Sequence, residues 1–239
     1  MINLSHRAAR AYQFAFLEHL KKRSCGRMKI YSALLLSFLL SSTYGQELQK
    51  LISIEPIPHP LEWVLKPEAF RQEGESITID AGPNTNMFYS PHGSFRVSNM
   101  PKLLFQPKGD FSLQAKAQTK HQSKWDAAML VAYVDEDFWA KLCFENQDPG
   151  IARMVTVVTN EISDDAYSDL IDGGSVYMKI EKQGAQIVFS YSKNGVDWIA
   201  IRYFRLNSGK PLKIGFSSQS PVGQGLRSVF SEIKYQEAE

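Results

Sequence analysis

The chain of 239 residues contains only two cysteines. Cys25 precedes an apolar segment typical of a targeting signal, so Cys143 is the one cysteine that belongs to the folded domain. A lone cysteine cannot form an internal disulfide, and the domain must therefore be stabilised by its hydrophobic core. Roughly 190 residues come after the signal, a length that can bury such a core in one domain.

Long hydrophobic runs are absent except for a short one near the N-terminus. From Met28 the chain reads MKIYSALLLSFLLSSTYGQ, with one Lys, an apolar core and small residues up to Gly45. This layout predicts a secretory signal peptide over residues 28–45, because the apolar core is too short to span a bilayer comfortably. No cysteine stands at the cleavage position, which argues against a lipoprotein anchor. We expect an exported protein, periplasmic or extracellular, whose mature chain has no membrane span.

Residues 1–27 are rich in Arg and Lys, which is unusual upstream of a signal peptide. The simplest interpretation is that translation starts at Met28 and that residues 1–27 are an upstream extension assigned to the chain in error. The alternative is a basic, partly helical pre-region or an uncleaved anchor.

Clusters of positive charge are absent from the mature chain. Beyond residue 45 there are 20 Lys and Arg against 24 Asp and Glu, a formal net charge of −4, whereas the full sequence has +2. The basic balance therefore belongs to the N-terminal segment. Phosphate contacts require clustered Lys and Arg, so we expect no nucleic-acid partner.

Alternating apolar and polar residues dominate the rest of the chain. After a proline-rich lead-in over residues 46–60, a domain over residues 61–236 shows period-two strands near residues 76–81, 111–117, 176–181 and 212–216. Asn194-Gly195 predicts a hairpin with a two-residue type I′ turn. About a dozen strands without a long amphipathic helix predict an all-β sandwich of two antiparallel sheets.

Two neighbouring segments indicate how this sandwich is built. Residues 127–134 are apolar on both faces, which predicts a central strand covered on both sides. The segment WAKLCFEN alternates, placing Ala140, Leu142 and Phe144 on one face and Trp139, Lys141, Cys143 and Glu145 on the other. The first face is typical of core, and the second is a candidate site.

Several segments occur together in the order and spacing of a known family: LEW, AGPNTNMF, WDAAMLV, FWAKLCFEN, VTVVTNEISDDAYS, YSKNGVDW and SPVGQGLRSVFSEIKY. From Leu61 to Tyr235 the chain resembles the concanavalin A-like family named after a yeast regulator of enolase. The resemblance implies a two-sheet jelly roll akin to legume lectins and bacterial β-glucanases. Such sandwiches host lectins, hydrolases and inert modules, so fold alone does not state the function. The sequence departs from the family pattern at Asn86, at residues 89–93, and at Asp165 and Ala166.

Glycoside hydrolysis would require two carboxylates, for which Glu145 and Asp126 are the candidates. A hairpin centred on Glu136 sets Glu145 opposite Ala127 and turns Asp126 to the other face, whereas a shift of one residue sets Glu145 opposite Asp126. The Glu-x-Asp-x-x-Glu strand of the β-glucanases is absent. An ion pair between Glu145 and Lys141 or Arg202 is the simpler explanation of the charges.

Metal and nucleophile signatures are weak. The three mature histidines show no ligand spacing, and Gly-x-Ser-x-Gly is absent. Asp164, Asp165, Asp169 and Asp172 could offer oxygens to calcium, but their spacing matches no calcium loop, and we expect a solvated acidic loop and no cofactor. Cys143 is interpreted as a small buried filler.

Binding of a glycan or polysaccharide is the most economical hypothesis, because sugar recognition combines aromatic surfaces with polar groups on a preformed surface. The candidate ligand-binding residues are Trp139, Lys141, Glu145, Tyr177, Lys179, Tyr191, Trp198 and Arg202. We therefore expect a carbohydrate-binding or recognition module without catalysis. The alternatives are a glycan-active hydrolase using Glu145 and Asp126, and a structural or regulatory domain that binds a protein partner.

Overall fold

A computed structural model describes residues 51–206 and 209–237, and within these ranges it contains sixteen strands and no helix. Two seven-stranded antiparallel sheets stack as a jelly-roll sandwich. In spatial order, the first sheet consists of β1 (Glu62–Leu65), β6 (Lys102–Phe105), β15 (Lys213–Gln219), β8 (Ala127–Tyr133), β9 (Phe138–Asp148), β10 (Ile151–Asn160) and β11 (Ile162–Leu170).

The second sheet consists, in spatial order, of β14 (Ile199–Phe204), β13 (Gln186–Ser192), β12 (Ser175–Gln183), β7 (Phe111–Thr119), β16 (Leu226–Glu237), β3 (Ser76–Ala81) and β2 (Ala69–Glu73). A separate two-stranded hairpin, which we call the flap, pairs β4 (Met87–Tyr89) with β5 (Arg96–Ser98). The all-β prediction is confirmed, with more strands than the dozen expected.

Strand β9 divides its side chains as the alternation predicts. Ala140, Leu142 and Phe144 pack into the main core between the two sheets. Trp139 and Cys143 point to the other side of the first sheet and join a second apolar cluster. Because successive residues of a strand face opposite ways, the same strand builds a core on one side and the floor of a site on the other.

Strand β8 is buried along its whole length, which confirms the prediction of a strand covered on both sides. Leu130 belongs to the main core, whereas Met129 and Val131 belong to the second cluster. The cover on the outer side is the flap, whose Met87 and Tyr89 are buried in that second cluster. The flap therefore shields part of the outer face of the first sheet and leaves the remainder open.

The proline-rich lead-in contributes to the core. Within residues 51–60, Ile54 and Ile57 are buried in the main cluster, and Ile52 forms an isolated bridge with Leu61. His59 Nε2 lies 2.6 Å from Glu237 Oε1, which ties the lead-in to the last strand. The sandwich thus includes residues upstream of the expected boundary at residue 61.

The connection between β13 and β14 is longer than predicted. Tyr191 pairs with Ile199, so seven residues separate the paired positions rather than two. Gly195 has a φ of 78°, but Asn194 is not among the residues with positive φ, and the predicted type I′ turn is wrong. Instead, Asn194 Oδ1 accepts hydrogen bonds from the backbone N–H groups of Val196 and Asp197, an Asx-type turn that supplies the reversal.

The predicted signal peptide and the basic extension before it lie outside the described ranges. Among the residues that the structure describes, no helix is long and apolar enough to cross a membrane.

Candidate functional site

The strand register sets polar side chains in rows across the outer face of the first sheet. Lys141 pairs with Val157, which pairs with Asp165, so these three residues share one row over β9, β10 and β11. Cys143, Val155 and Tyr167 form the next row. Paired residues of neighbouring strands point to the same face about 4.8 Å apart, so an alternating sequence on three strands becomes a continuous floor.

Above this floor is a pocket of about 390 Å³. Its base contains Lys141 and Glu145, and its rim carries exposed aromatic side chains from three separate parts of the chain. The lining residues are Asn86, Phe88 and Phe95 of the flap region, Trp125, Lys141, Glu145, Val155, Val157, Asp165, Tyr167, Gln219, Pro221 and Val222. An apolar rim around a few convergent polar groups is the usual form of a small-molecule site.

Lys141 is the buried cation of the pocket, with 1% of its surface exposed. Its Nζ donates a hydrogen bond of 2.9 Å to Gln219 Oε1 and lies 5.8 Å from the centre of the Trp139 ring. Burial lowers the pKa of Lys141, and the nearby Cys143, Glu145 and Asp165 oppose that shift. The ammonium is thus held by a neutral amide rather than by a carboxylate.

Glu145 is the buried acid, with 6% of its surface exposed. Burial raises its pKa to about 7, since removal from water disfavours the charged form more than the neighbouring Lys141 favours it. Gln147 Nε2 donates to Glu145 Oε1 at 3.3 Å. The expected ion pair is not formed: among the described residues no cation lies within 4.0 Å of Glu145, and Arg202 pairs with Asp164 at 3.0 Å instead.

Trp125 stands at the rim in a strained backbone conformation. Its φ of 65° is uncommon for a bulky residue and costs of order 1 kcal/mol or more. Two hydrogen bonds hold it there: its N–H donates to the carbonyl of Asn146 at 2.7 Å, and its carbonyl accepts from Gln219 Nε2 at 3.1 Å. Gln219 in turn accepts from Lys141. The floor and the rim are therefore linked through one amide, and the Trp125 side chain stays 40% exposed.

Asp126 does not face Glu145. Of the two registers considered, the structure has the one that pairs Glu145 with Ala127. Asp126 is fully buried on the opposite side, where its carboxylate accepts hydrogen bonds from the backbone N–H groups of Gln122 and Ser123 and from Ser220 Oγ. These contacts shape the loop that presents Trp125, and they give Asp126 a structural role rather than a place in the pocket.

Of the eight candidate ligand-binding residues, only Lys141 and Glu145 line this pocket. Trp139 shares their face but is fully buried, with its ring edge-on to Tyr89 of the flap at 5.5 Å. Strand parity predicts the correct face for Trp139 but carries no information on the cover above it.

Of the other five candidates, four lie on strands of the second sheet and Trp198 directly precedes β14. Tyr177 donates to Glu232 at 2.9 Å, and Lys179 pairs with Glu181 at 3.0 Å and lies 4.6 Å from the Trp198 ring. Tyr191 is buried in the main core and donates to Asp169, while Arg202 pairs with Asp164. The last two contacts join β13 and β14 to β11 along one side of the sandwich. These five residues do not converge with Lys141 and Glu145.

The acidic residues of β11 do not form one cluster, because they contact different partners. Asp164 and Asp169 are engaged by Arg202 and Tyr191, whereas Asp165 lines the pocket. Within the described ranges, no group of three or more His, Cys, Asp or Glu side chains is arranged to hold a metal ion. Cys143 is buried and unpaired, and burial raises the pKa of its thiol.

Sequence reasoning missed most of the rim. Tyr167 and Asp165 could have been found by extending the β9 alternation through the hairpin from β10 to β11, which reverses at Glu161. Phe95, Trp125 and Gln219 reach the pocket from distant segments, and nothing local in the sequence marks them. Two of the positions that depart from the family pattern, Asn86 and Asp165, line the pocket as well.

Comparison with known proteins places this architecture in a family. Residues 63–238 match the family model described as a protein of unknown function, DUF1349. The chain belongs to this family. Within it, Regulation of enolase protein 1 of Saccharomyces cerevisiae is similar, with 23% identity over 173 residues that cover 71% of this chain and 86% of the yeast protein.

Solved structures support the same fold. A functionally unknown protein from Saccharomyces cerevisiae superposes with a TM-score of 0.69 at 21% identity, covering 75% of this chain and 97% of the yeast chain. The xylan β-1,4-xylosidase of Bacillus halodurans C-125 superposes with a TM-score of 0.58 at 12% identity. That match covers 79% of this chain but 38% of the xylosidase, so it shows a shared sandwich and nothing further.

Proposed function

We propose that this protein is a carbohydrate-binding module whose ligand occupies the pocket on the outer face of the first sheet. The observation that carries the proposal is the convergence of exposed aromatic rings at the rim with buried polar side chains at the base. Sugars present apolar C–H faces that pack on aromatic rings and hydroxyl groups that require hydrogen-bond partners. Trp125 is the stacking surface, and Glu145 and Asp165 accept from the hydroxyl groups.

The arrangement is preformed, which favours binding over a purely structural role. Hydrogen bonds with Asn146 and Gln219 keep Trp125 in a strained backbone conformation. This strain costs stability. Rigid placement of an aromatic ring reduces the entropy that a ligand must offset on binding.

Family and fold relatives add circumstantial support. Structural neighbours include a GH43 protein and a xylan β-1,4-xylosidase, and the matched sandwich covers 38% of each. A domain of this fold therefore occurs within proteins that act on polysaccharides, and xylan fragments are sensible first ligands.

Hydrolysis is not part of the proposed function. The hydrolase alternative required Glu145 with Asp126, and Asp126 lies on the other face with its oxygens engaged. Glu145 has a pKa suited to a general acid. Asp165 is the other carboxylate of the lining, but it lies two strands away on β11 in the row of Lys141, so the two carboxylates are not neighbours on the floor as a catalytic pair would be.

The test is a broad glycan array followed by product analysis of every glycan that is retained. Retention without cleavage is the expected result, and replacement of Trp125 by Ala should abolish it. Release of shorter products from a retained glycan would show that the protein is an enzyme and not a binding module. No retention across the array would overturn the carbohydrate proposal and favour a protein partner.

We further propose that the protein is exported after removal of residues 28–45. The support is the sequence layout of that segment, including its single Lys and its short apolar core. Fractionation of cells that express the full chain with a C-terminal tag should place the protein outside the cytoplasm. Mass spectrometry should then give an N-terminus within a few residues of Gln46, and an intact N-terminus on cytoplasmic protein would contradict export.

A further inference from the structure

The charges that line the pocket do not balance. Glu145 and Asp165 contribute two carboxylates, and Lys141 contributes one ammonium. Lys102, buried beneath the flap and bonded to the Met100 carbonyl, and Lys124, paired with Asp148, do not line the pocket. Arg153 is a further cation near this face, since its backbone pairs with that of Glu145. Its guanidinium carbon lies 5.3 Å from the centre of the Tyr167 ring, however, and Arg153 is not among the side chains that line the pocket.

The one cation of the lining is also poorly placed to receive an anion. The Lys141 ammonium is almost completely buried and already donates to Gln219. An anionic group in the pocket would lie beside Asp165 and Glu145, both of which are more exposed than Lys141. Like charges brought together in a partly desolvated site repel each other.

Glu145 requires donors rather than acceptors. When ionised, its carboxylate can only accept hydrogen bonds, and the described residues offer it one, from Gln147 at 3.3 Å. Two adjacent hydroxyl groups of a sugar ring supply two donors for the two carboxylate oxygens. A uronate carboxylate or a sulfate group supplies none.

We infer that the pocket binds a neutral glycan through adjacent hydroxyl groups that donate to Glu145, and that it excludes acidic glycans. This inference rests on the proposed carbohydrate-binding function and adds the charge class of the ligand. The excluded class comprises uronate polymers and sulfated polysaccharides.

The direct test is an array at pH 8 that carries neutral glucans, mannans, xylans and galactans beside glucuronan, mannuronan, polygalacturonate and sulfated galactan. The retained glycan is expected to be neutral, with its acidic counterpart bound at least tenfold more weakly. Acidic glycans bound as tightly as neutral ones, or more tightly, would overturn the inference and leave the proposed function standing. Retention of neither class would overturn both.

The variant Glu145→Gln separates charge from shape. We expect it to bind the neutral glycan about tenfold more weakly. The ratio of its affinities for neutral and acidic glycans should be smaller than in the wild type. The matched control is Glu181→Gln on the second sheet, where Glu181 pairs with Lys179, and it should leave both affinities unchanged. An unchanged preference in Glu145→Gln would contradict the role given to this carboxylate.

The preference for neutral over acidic glycans should also become weaker at low pH. Below a pH of about 7 Glu145 is protonated, and its O–H can then donate to an anionic group. The charged groups that face it are Lys141 from its own strand, Arg153 from β10 and Asp165 from β11, whereas its neighbours on β8 and β15, Ala127 and Gln219, do not titrate. A neutral-to-acidic ratio that is smaller at pH 5.5 than at pH 8 is expected, and a larger ratio in acid would overturn the inference.

Discussion

Glu145 is the side chain in which the proposed binding role and protein stability oppose each other. In the folded protein burial raises its pKa to about 7, compared with an ordinary value of 4.5. Between these values the folded state holds a proton that the unfolded state has lost. The contribution of Glu145 to the free energy of unfolding therefore falls as the pH rises from about 4.5 to about 7, and it stays low above pH 7.

Replacing Glu145 by Gln removes this penalty while keeping the shape of the side chain. We expect the variant to be more stable than the wild type at pH 8, by about 3 kcal/mol at most, and similar to it at pH 4.5. Urea unfolding at the two pH values measures the difference. A less stable variant at pH 8 would mean that the ionised carboxylate makes a stabilising contact in the folded protein.

The backbone strain at Trp125 can be tested by substitution, because its positive φ suits glycine better than any bulky residue. Trp125→Gly and Trp125→Ala both remove the ring, but only Ala keeps the backbone strain. We expect the Gly variant to be more stable than the Ala variant by about 1 kcal/mol. Thermal or urea unfolding of the two variants checks this, and equal stabilities would show that the backbone relaxes without cost.

At the level of strands and loops, the features that depend on alternation were predictable from the sequence. The two faces of β9, the double burial of β8 and the sandwich itself all depend on a period of two, which residues 127–145 display. The register between β8 and β9 was left open, since both choices satisfied the pattern. The flap could not be predicted, because its three-residue strands carry too little alternation to identify a partner.

The pocket was predictable only in its floor. Lys141 and Glu145 share one strand, so parity sufficed to place them together. Trp125, Phe95 and Gln219 come from different segments, and their meeting depends on the order of strands in the first sheet. The candidate residues on β12, β13 and β14 lie away from this pocket, because parity within a strand does not say to which sheet the strand belongs.

The loop before β8 depends on Asp126 as a buried anchor. Asp126→Ala would leave the buried Ser220 hydroxyl and two partly buried backbone N–H groups without their acceptor. We expect a loss of about 2–4 kcal/mol in the free energy of unfolding, measured with urea. The exposed Asp148, paired with Lys124 at 3.3 Å, is the control, and Asp148→Asn should change stability by less than about 0.5 kcal/mol. Equal effects would contradict the anchoring role.

For the protein as a whole, the proline-rich lead-in packs into the core of the sandwich. Ile54 and Ile57 are buried in the main core, which contains residues of both sheets, and His59 contacts Glu237 of the last strand. Phe105 and Tyr235 flank His59, with ring centres 5.9 and 6.0 Å from its own. The folding unit therefore begins upstream of residue 61.

Ile54→Ala tests this closure. Removing a fully buried branched side chain should cost about 2–5 kcal/mol of stability. Leu51→Ala, at an exposed position in the same segment, should cost less than about 0.5 kcal/mol. Urea unfolding of both variants gives the comparison, and a small effect at Ile54 would mean that the lead-in is dispensable.

We propose ligand binding at the pocket and not at the aromatic residues elsewhere on the molecule. The most direct measurement is isothermal titration of the strongest array ligand into the wild type, Trp125→Ala and Trp198→Ala, where Trp198 lies on the second sheet beside Lys179. We predict a loss of at least tenfold in affinity for Trp125→Ala and a change of less than about twofold for Trp198→Ala. Wild-type affinity in Trp125→Ala together with lost binding in Trp198→Ala would contradict the assignment of the site.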